Sequence, residues 1–263
     1  MRKAIWWWIG GGVALVCAAV LLSVWWFSRS DTGEVAPIAT AIAPATAPVI
    51  RNQVPAQPTA SEALPAIDAS DPPLRTALTA LGGAQGLDAL LRPEMLVRHI
   101  VVTVDNLPRK RVAVELRPVR AVPGQFGATG DEQSSTLDPA NYARYAPYVK
   151  LVQQIDLPQF AELYFHFYPL FQQAYQNLGY PSGYFNDRLI AAIDDLLAAP
   201  ELAAPPALVR PNVMYLYADP KLEDLSAGQK VLLRMGPDNA AIVKARLREL
   251  RALVVVHSQG TSP

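Results

Sequence analysis

Glu162 and His166 stand four residues apart in a strongly aromatic run, so on a helix they share one face. That spacing suits a metal-ligand pair, or an imidazole oriented by a carboxylate. The zinc-protease helix needs H-E-x-x-H, which this run does not have, and no third ligand lies nearby in sequence. A polar pair on a helix surface, or a hydrogen-bonded core histidine, accounts for the same residues without any chemistry. A second string is more unusual: Gly179-Tyr180-Pro181-Ser182-Gly183-Tyr184-Phe185-Asn186-Asp187-Arg188. Two glycines and a proline set a tight connection between helices. Tyr180 and Tyr184 offer stacking surfaces, while Asn186, Asp187 and Arg188 offer hydrogen bonds of both signs at a helix start. That composition suits a peptide or a glycan. Turn chemistry alone also explains it, with Asn186 or Asp187 capping the following helix. Ser182 has no obvious base, so a serine nucleophile is not supported.

Other strings carry less. Ser226-Ala227-Gly228-Gln229-Lys230 departs from the phosphate-loop pattern G-x-x-x-x-G-K-[ST]. Asp219-Pro220 with Glu223 and Asp224 lacks calcium-loop spacing and reads as the cap of a short helix. Arg109-Lys110-Arg111 could meet anionic headgroups or polymer phosphates, but reads more simply as a solvated loop. Three scattered histidines and one cysteine exclude a plain metal cage and a disulfide framework. Lys plus Arg equals Asp plus Glu at 23 each, a balance that argues against nucleic acid. A chain that is 51% apolar and 17% charged is not disordered throughout. No metal or cofactor is expected.

The elements that would position these residues are mostly helices. Asp71-Pro72 reads as an N-cap and first turn, followed by Leu74, Leu78 and Leu81 and stopped by Gly82-Gly83. Leu87 to Leu91 makes a short second turn. Pro93 starts a third helix through His99 and Leu107, with a strand as runner-up over the β-branched run Val101–Val104. Prolines and glycines break residues 108–137, leaving a short strand at Val112–Leu116 and an exposed loop at Asp131–Thr136. Asp138-Pro139 restarts helix, which Pro147 splits or kinks. Asp156 caps the most aromatic helix, which Gly179 ends and which belongs at the core centre. Further helices are expected at Phe185–Ala198, at Ala227–Met235 under a Ser226 cap, and from an Asp238 cap to near Val255. Val213–Tyr217 reads as a strand or extended connector. The fold class is mainly α, with at most a few short strands.

Upstream, Ile5 to Phe27 is uncharged over 23 residues, roughly 34 Å of helix at about 1.5 Å per residue and enough to cross a bilayer core. All five tryptophans bracket it: Trp6, Trp7 and Trp8 at one end, Trp25 and Trp26 at the other. A cleaved signal peptide would need a shorter run and a small-residue cleavage site, so a retained anchor is expected. Arg2 and Lys3 place residues 1–4 in the cytoplasm. Gly10, Ala14 and Ala18 form a small-residue stripe through which two anchors could pair. Residues 28–72 are rich in alanine and proline and read as a disordered tether. Residues 73–256 form the folded domain, and 257–263 a tail.

Several strings carry a resemblance. They are Thr103-Val104-Asp105-Asn106-Leu107-Pro108-Arg109; Asn141-Tyr142-Ala143-Arg144-Tyr145; Gly179-Tyr180-Pro181 with Phe185-Asn186-Asp187-Arg188-Leu189-Ile190; and Asp219-Pro220 through Leu225–Lys230 into Leu232–Gly236. Together with the architecture they resemble a family of proteobacterial membrane-anchored proteins catalogued as a domain of unknown function (DUF3014). The resemblance implies a Gram-negative source, an inner-membrane anchor and a periplasmic domain; it supplies no catalytic residues. The expected function is a non-enzymatic binding or scaffolding module for an envelope protein or polymer, with Tyr180, Tyr184, Asn186, Asp187 and Arg188 as the contact region. The alternative is a cell-wall polymer hydrolase using Glu162, His166 and Asp187.

Overall fold

In a computed structural model of the chain, residues 50–54, 64–81, 90–131 and 135–258 are described. The expected membrane span and the Gly10–Ala14–Ala18 stripe lie outside them, as does most of the turn expected at Leu87–Leu91. Among the described residues no helix is long and apolar enough to cross a membrane.

Among the described residues the first α-helices are α1 (Asp71–Ala80) and α2 (Leu96–Asn106). The β-branched run in α2 is helical, not extended: Val97, Val101 and Val104 face the core at helical spacing, and that burial outweighs strand propensity. Ser70 occupies the N-cap position of α1. Asp71 sits inside the helix, and its carboxylate accepts the Met95 and Leu96 N–H groups at 2.6 and 2.8 Å. It therefore caps α2. Met95, at a left-handed φ of 52°, delivers those amides.

Residues 114–116 form a 3-10 turn where a strand was expected, and the extended contact nearby is a single bridge between Leu91 and Val119. The sheet is β1 (Ala128–Gly130), β2 (Ser135–Leu137), β3 (Ala207–Val209) and β4 (Leu216–Tyr217), antiparallel and in chain order. β2 overlaps the end of the stretch expected to be loop, at Ser135 and Thr136. Ser135 and Leu137 are buried beside β3, with Leu208, Tyr217 and Leu233 completing a small second cluster. Alternation over three residues is too short to be read from sequence.

Short α3 (Ala140–Ala143) and α4 (Ala146–Gln154) divide at Pro147, which stands in the first turn of α4. Asp156 caps α5 (Leu157–Asn177) by accepting from the Gln159 N–H at 3.0 Å. α5 is the core axis and packs against α1, α2, α6 (Phe185–Leu197) and α9 (Pro237–Ser258). Between α6 and α9 lie α7 (Pro220–Glu223) and α8 (Ala227–Met235). Ser226 and Gln229 close a capping box on α8. Asp238 lies inside the first turn of α9, which begins at Pro237, and not before it. α9 runs three residues past the expected end, burying Val243, Leu247, Leu250 and Val254 in steps of three and four.

The α8–α9 corner needs glycine. Gly236 has φ +84°, and a Cβ there would lie 2.5 Å from the Tyr142 ring. Gly236→Ala is expected to cost about 2 kcal/mol, lowering the thermal midpoint by roughly 4–8 °C. Far-UV circular dichroism melting checks this.

Buried His99 supplies a pH dependence. Burial, then the nearby Arg92, lowers its pKa, opposed by Asp71 and Glu94. Its Nδ1 has no hydrogen-bond partner among the described residues. The folded state disfavours its charged form, so its contribution is complete above the unfolded value near 6.5 and is lost as pH falls below that. Melting between pH 7.5 and 5.5 should fall more steeply for the native chain than for His99→Leu.

Candidate functional site

The turn between α5 and α6 is held from behind. The Gln172 amide donates to the Gly183 carbonyl at 2.8 Å, and its oxygen accepts from the Phe185 N–H at 2.9 Å and the Tyr168 hydroxyl at 3.0 Å. Tyr175 stacks on Tyr180 with centroids 4.6 Å apart. The Tyr164 hydroxyl donates to Asn186 Oδ1 at 2.9 Å, and Asn186 is fully buried. Burial pushes the Tyr164 and Tyr168 hydroxyls well above their usual pKa, so both remain protonated donors.

Asn186 and Asp187 do not cap α6. The N-cap position is Tyr184, and no side chain caps it. Their polar atoms turn instead to residues 51–54, which the proline spacing assigns to the tether. Asp187 Oδ2 accepts the Arg51 N–H at 3.0 Å, and Oδ1 accepts the Asn52 N–H at 2.9 Å and the Asn52 side-chain amide at 2.7 Å. Asn186 Nδ2 donates to the Asn52 carbonyl at 2.9 Å and to Ser258 Oγ at 2.7 Å. The Tyr184 hydroxyl accepts the Val54 N–H. Val54, Leu64 and Ile67 pack on the core, so parts of the expected tether lie against the domain.

Tyr180 and Arg188 face a different partner. Asp105, on α2, is buried with its side chain 6% exposed. It accepts from Arg188 Nε at 3.0 Å, Arg109 Nη2 at 2.7 Å and the Tyr180 hydroxyl at 3.4 Å. The hydrogen bond to Asp105 raises the Arg109 pKa further. Arg109 is thus an exposed ion-pair partner of a buried carboxylate, and Lys110 pairs with Asp224 on the surface. Beside this cluster, Asp195 on α6 accepts from Ser226 Oγ at 2.6 Å, and burial raises its pKa despite that bond and the nearby Arg188.

The five residues of the expected contact region therefore divide. Tyr184, Asn186 and Asp187 converge on the segment at 51–54, while Tyr180 and Arg188 brace α2. Glu162 is exposed on α5, and the half-buried His166 ring lies edge-on to Phe167 at 4.8 Å. Among the described residues no group of three or more His, Cys, Asp or Glu is placed to hold a metal ion. An apolar cavity of about 50 Å³ lies behind the site, walled by Ile100, Leu163, Tyr164 and Phe185 among others. It presents almost no polar surface.

Sequence reasoning missed Asp105, Gln172 and the segment at 51–54. A signal for the last was present: Val49–Val54 is the longest stretch without alanine or proline between Ala36 and Asp71.

Neither a search of curated proteins nor a search of solved structures finds a match. A family model described as "Protein of unknown function (DUF3014)" matches residues 96–251, a span that takes in α2, the sheet, the aromatic turn and most of α9. That match covers more than half of the 263 residues, and the chain belongs to this family.

Proposed function

We propose that the chain is a single-pass inner-membrane protein whose periplasmic helical domain is a non-enzymatic binding module for a partner in the cell envelope. One observation carries the binding part. The polar residues that open α6 leave the helix uncapped and present their hydrogen-bonding atoms to the main chain of residues 51–54. Capping would have satisfied the helix amides at no other cost. The uncharged, tryptophan-bracketed run at 5–27 supports the anchor. The preceding Arg2 and Lys3 support the orientation.

A photo-crosslinking residue replacing exposed Ser182, next to the site, tests the binding part in living cells. A discrete adduct to an envelope protein or polymer is expected, and its absence would contradict the reading. A C-terminal reporter active only in the periplasm is expected; activity only in the cytosol would overturn the topology.

A further inference from the structure

Resting on that reading, we infer that Tyr184, Asn186 and Asp187 form a receptor for a short polypeptide segment of the pattern Asn-x-apolar, and that residues 51–54, bent at Arg51 and Asn52, are its resident ligand in cis. The contacts divide into general and selective. Three N–H groups and one carbonyl of the segment's main chain are engaged, at Arg51, Asn52 and Val54. Any peptide without proline at those positions offers those atoms. Selection falls on the two side chains that the fold half-buries. Asn52 and Val54 are half-buried, the first hydrogen-bonded to Asp187 and the second packed on the core. Arg51 and Gln53 face solvent.

The receptor side is built without help from the segment. Tyr164 fixes one end of the Asn186 amide and Gln172 fixes the loop that carries Tyr184. Removing the segment would strip Asp187 of the three hydrogen bonds described and leave Asn186 Nδ2 with Ser258 alone. An emptied site therefore favours a replacement offering the same atoms.

Covalent linkage sets the terms of exchange. Nine residues separate Val54 from Leu64. A linker of that length holds a ligand at an effective concentration on the order of millimolar. A free tetrapeptide cannot displace it at micromolar concentration. A partner protein with contacts elsewhere on the domain can, and in doing so it releases the tether.

The test uses the full chain in detergent and a fluorescent peptide Val-Ile-Arg-Asn-Gln-Val-Pro, read by anisotropy. Asn52→Pro with Val54→Pro removes two of the main-chain donors and the Asn52 side chain from the cis segment, leaving the receptor intact. The peptide should bind this variant at least tenfold more tightly than the native chain. A peptide with the same two prolines should not bind. Adding Asp187→Ala to the variant should weaken binding at least tenfold. A chain lacking residues 50–54 should behave as the proline variant does. Equal affinity for the native and released chains, or no binding by either released chain, would overturn the inference. An adduct at position 182 in cells without peptide binding would reject this inference and keep the binding-module reading. Peptide binding without any cellular adduct would do the reverse.

Discussion

Asp105→Ala should lower stability by about 3 kcal/mol, the largest loss expected from any single side chain around the site. The carboxylate is 6% exposed and lies between Arg188, 23% exposed, and Arg109, 48% exposed. Removing it takes from the better-buried guanidinium of Arg188 its hydrogen-bonded ion-pair partner and leaves only the more distant Asp195, which is the costly way to break such a pair. Arg109 turns to solvent and contributes little. The thermal midpoint should fall by roughly 6–12 °C. Asp105→Ala combined with Arg188→Met should recover part of that loss, because the guanidinium that lost its partner is gone. A double-mutant cycle reads the coupling. A loss below about 1 kcal/mol would mean that the cluster does not join α2 to α6 as described.

Asp187→Ala acts on the segment and spares the core. It removes the acceptors of the Arg51 and Asn52 amides, charge-assisted bonds that together contribute about 2 kcal/mol at a half-exposed site. That corresponds to an opening equilibrium about 30-fold more favourable, since 1.4 kcal/mol is tenfold. Trypsin reads it directly, because the bond after Arg51 is cleaved only when the segment leaves its seat. The preceding basic residue is Arg29 and the next is Arg75, so the fragment is easily identified. Cleavage after Arg51 should accelerate about 30-fold while the melting temperature moves by only a few degrees. Unchanged cleavage would place the segment elsewhere.

How much of this could be read in advance follows from the range of each interaction. Helical periodicity is local, and the elements that depend on it formed where spacing put them: the Asp156-capped α5, α6 from Phe185, and the Ser226–Gln229 box on α8. The β-branched run in α2 reads ambiguously because burial on both α5 and α6, a tertiary matter, decides it. Strands of two or three residues, as in β2 and β4, are defined by their partners and leave almost no trace in composition. Asp71 and Asp187 show the same limit for capping residues. Both stand where a helix begins, and both serve a distant segment, Met95–Leu96 in one case and Arg51–Asn52 in the other. The type of residue at the aromatic turn was apparent from sequence; its target, more than a hundred residues upstream, was not.

The docking of residues 51–54 is the claim on which the binding account rests, and amide hydrogen exchange of the native full chain tests it most directly. Arg51, Asn52 and Val54 should exchange at least tenfold more slowly than in a free peptide of the same sequence, at the positions whose N–H groups are bonded to Asp187 and Tyr184. Exchange at free-peptide rates at all three positions would contradict it.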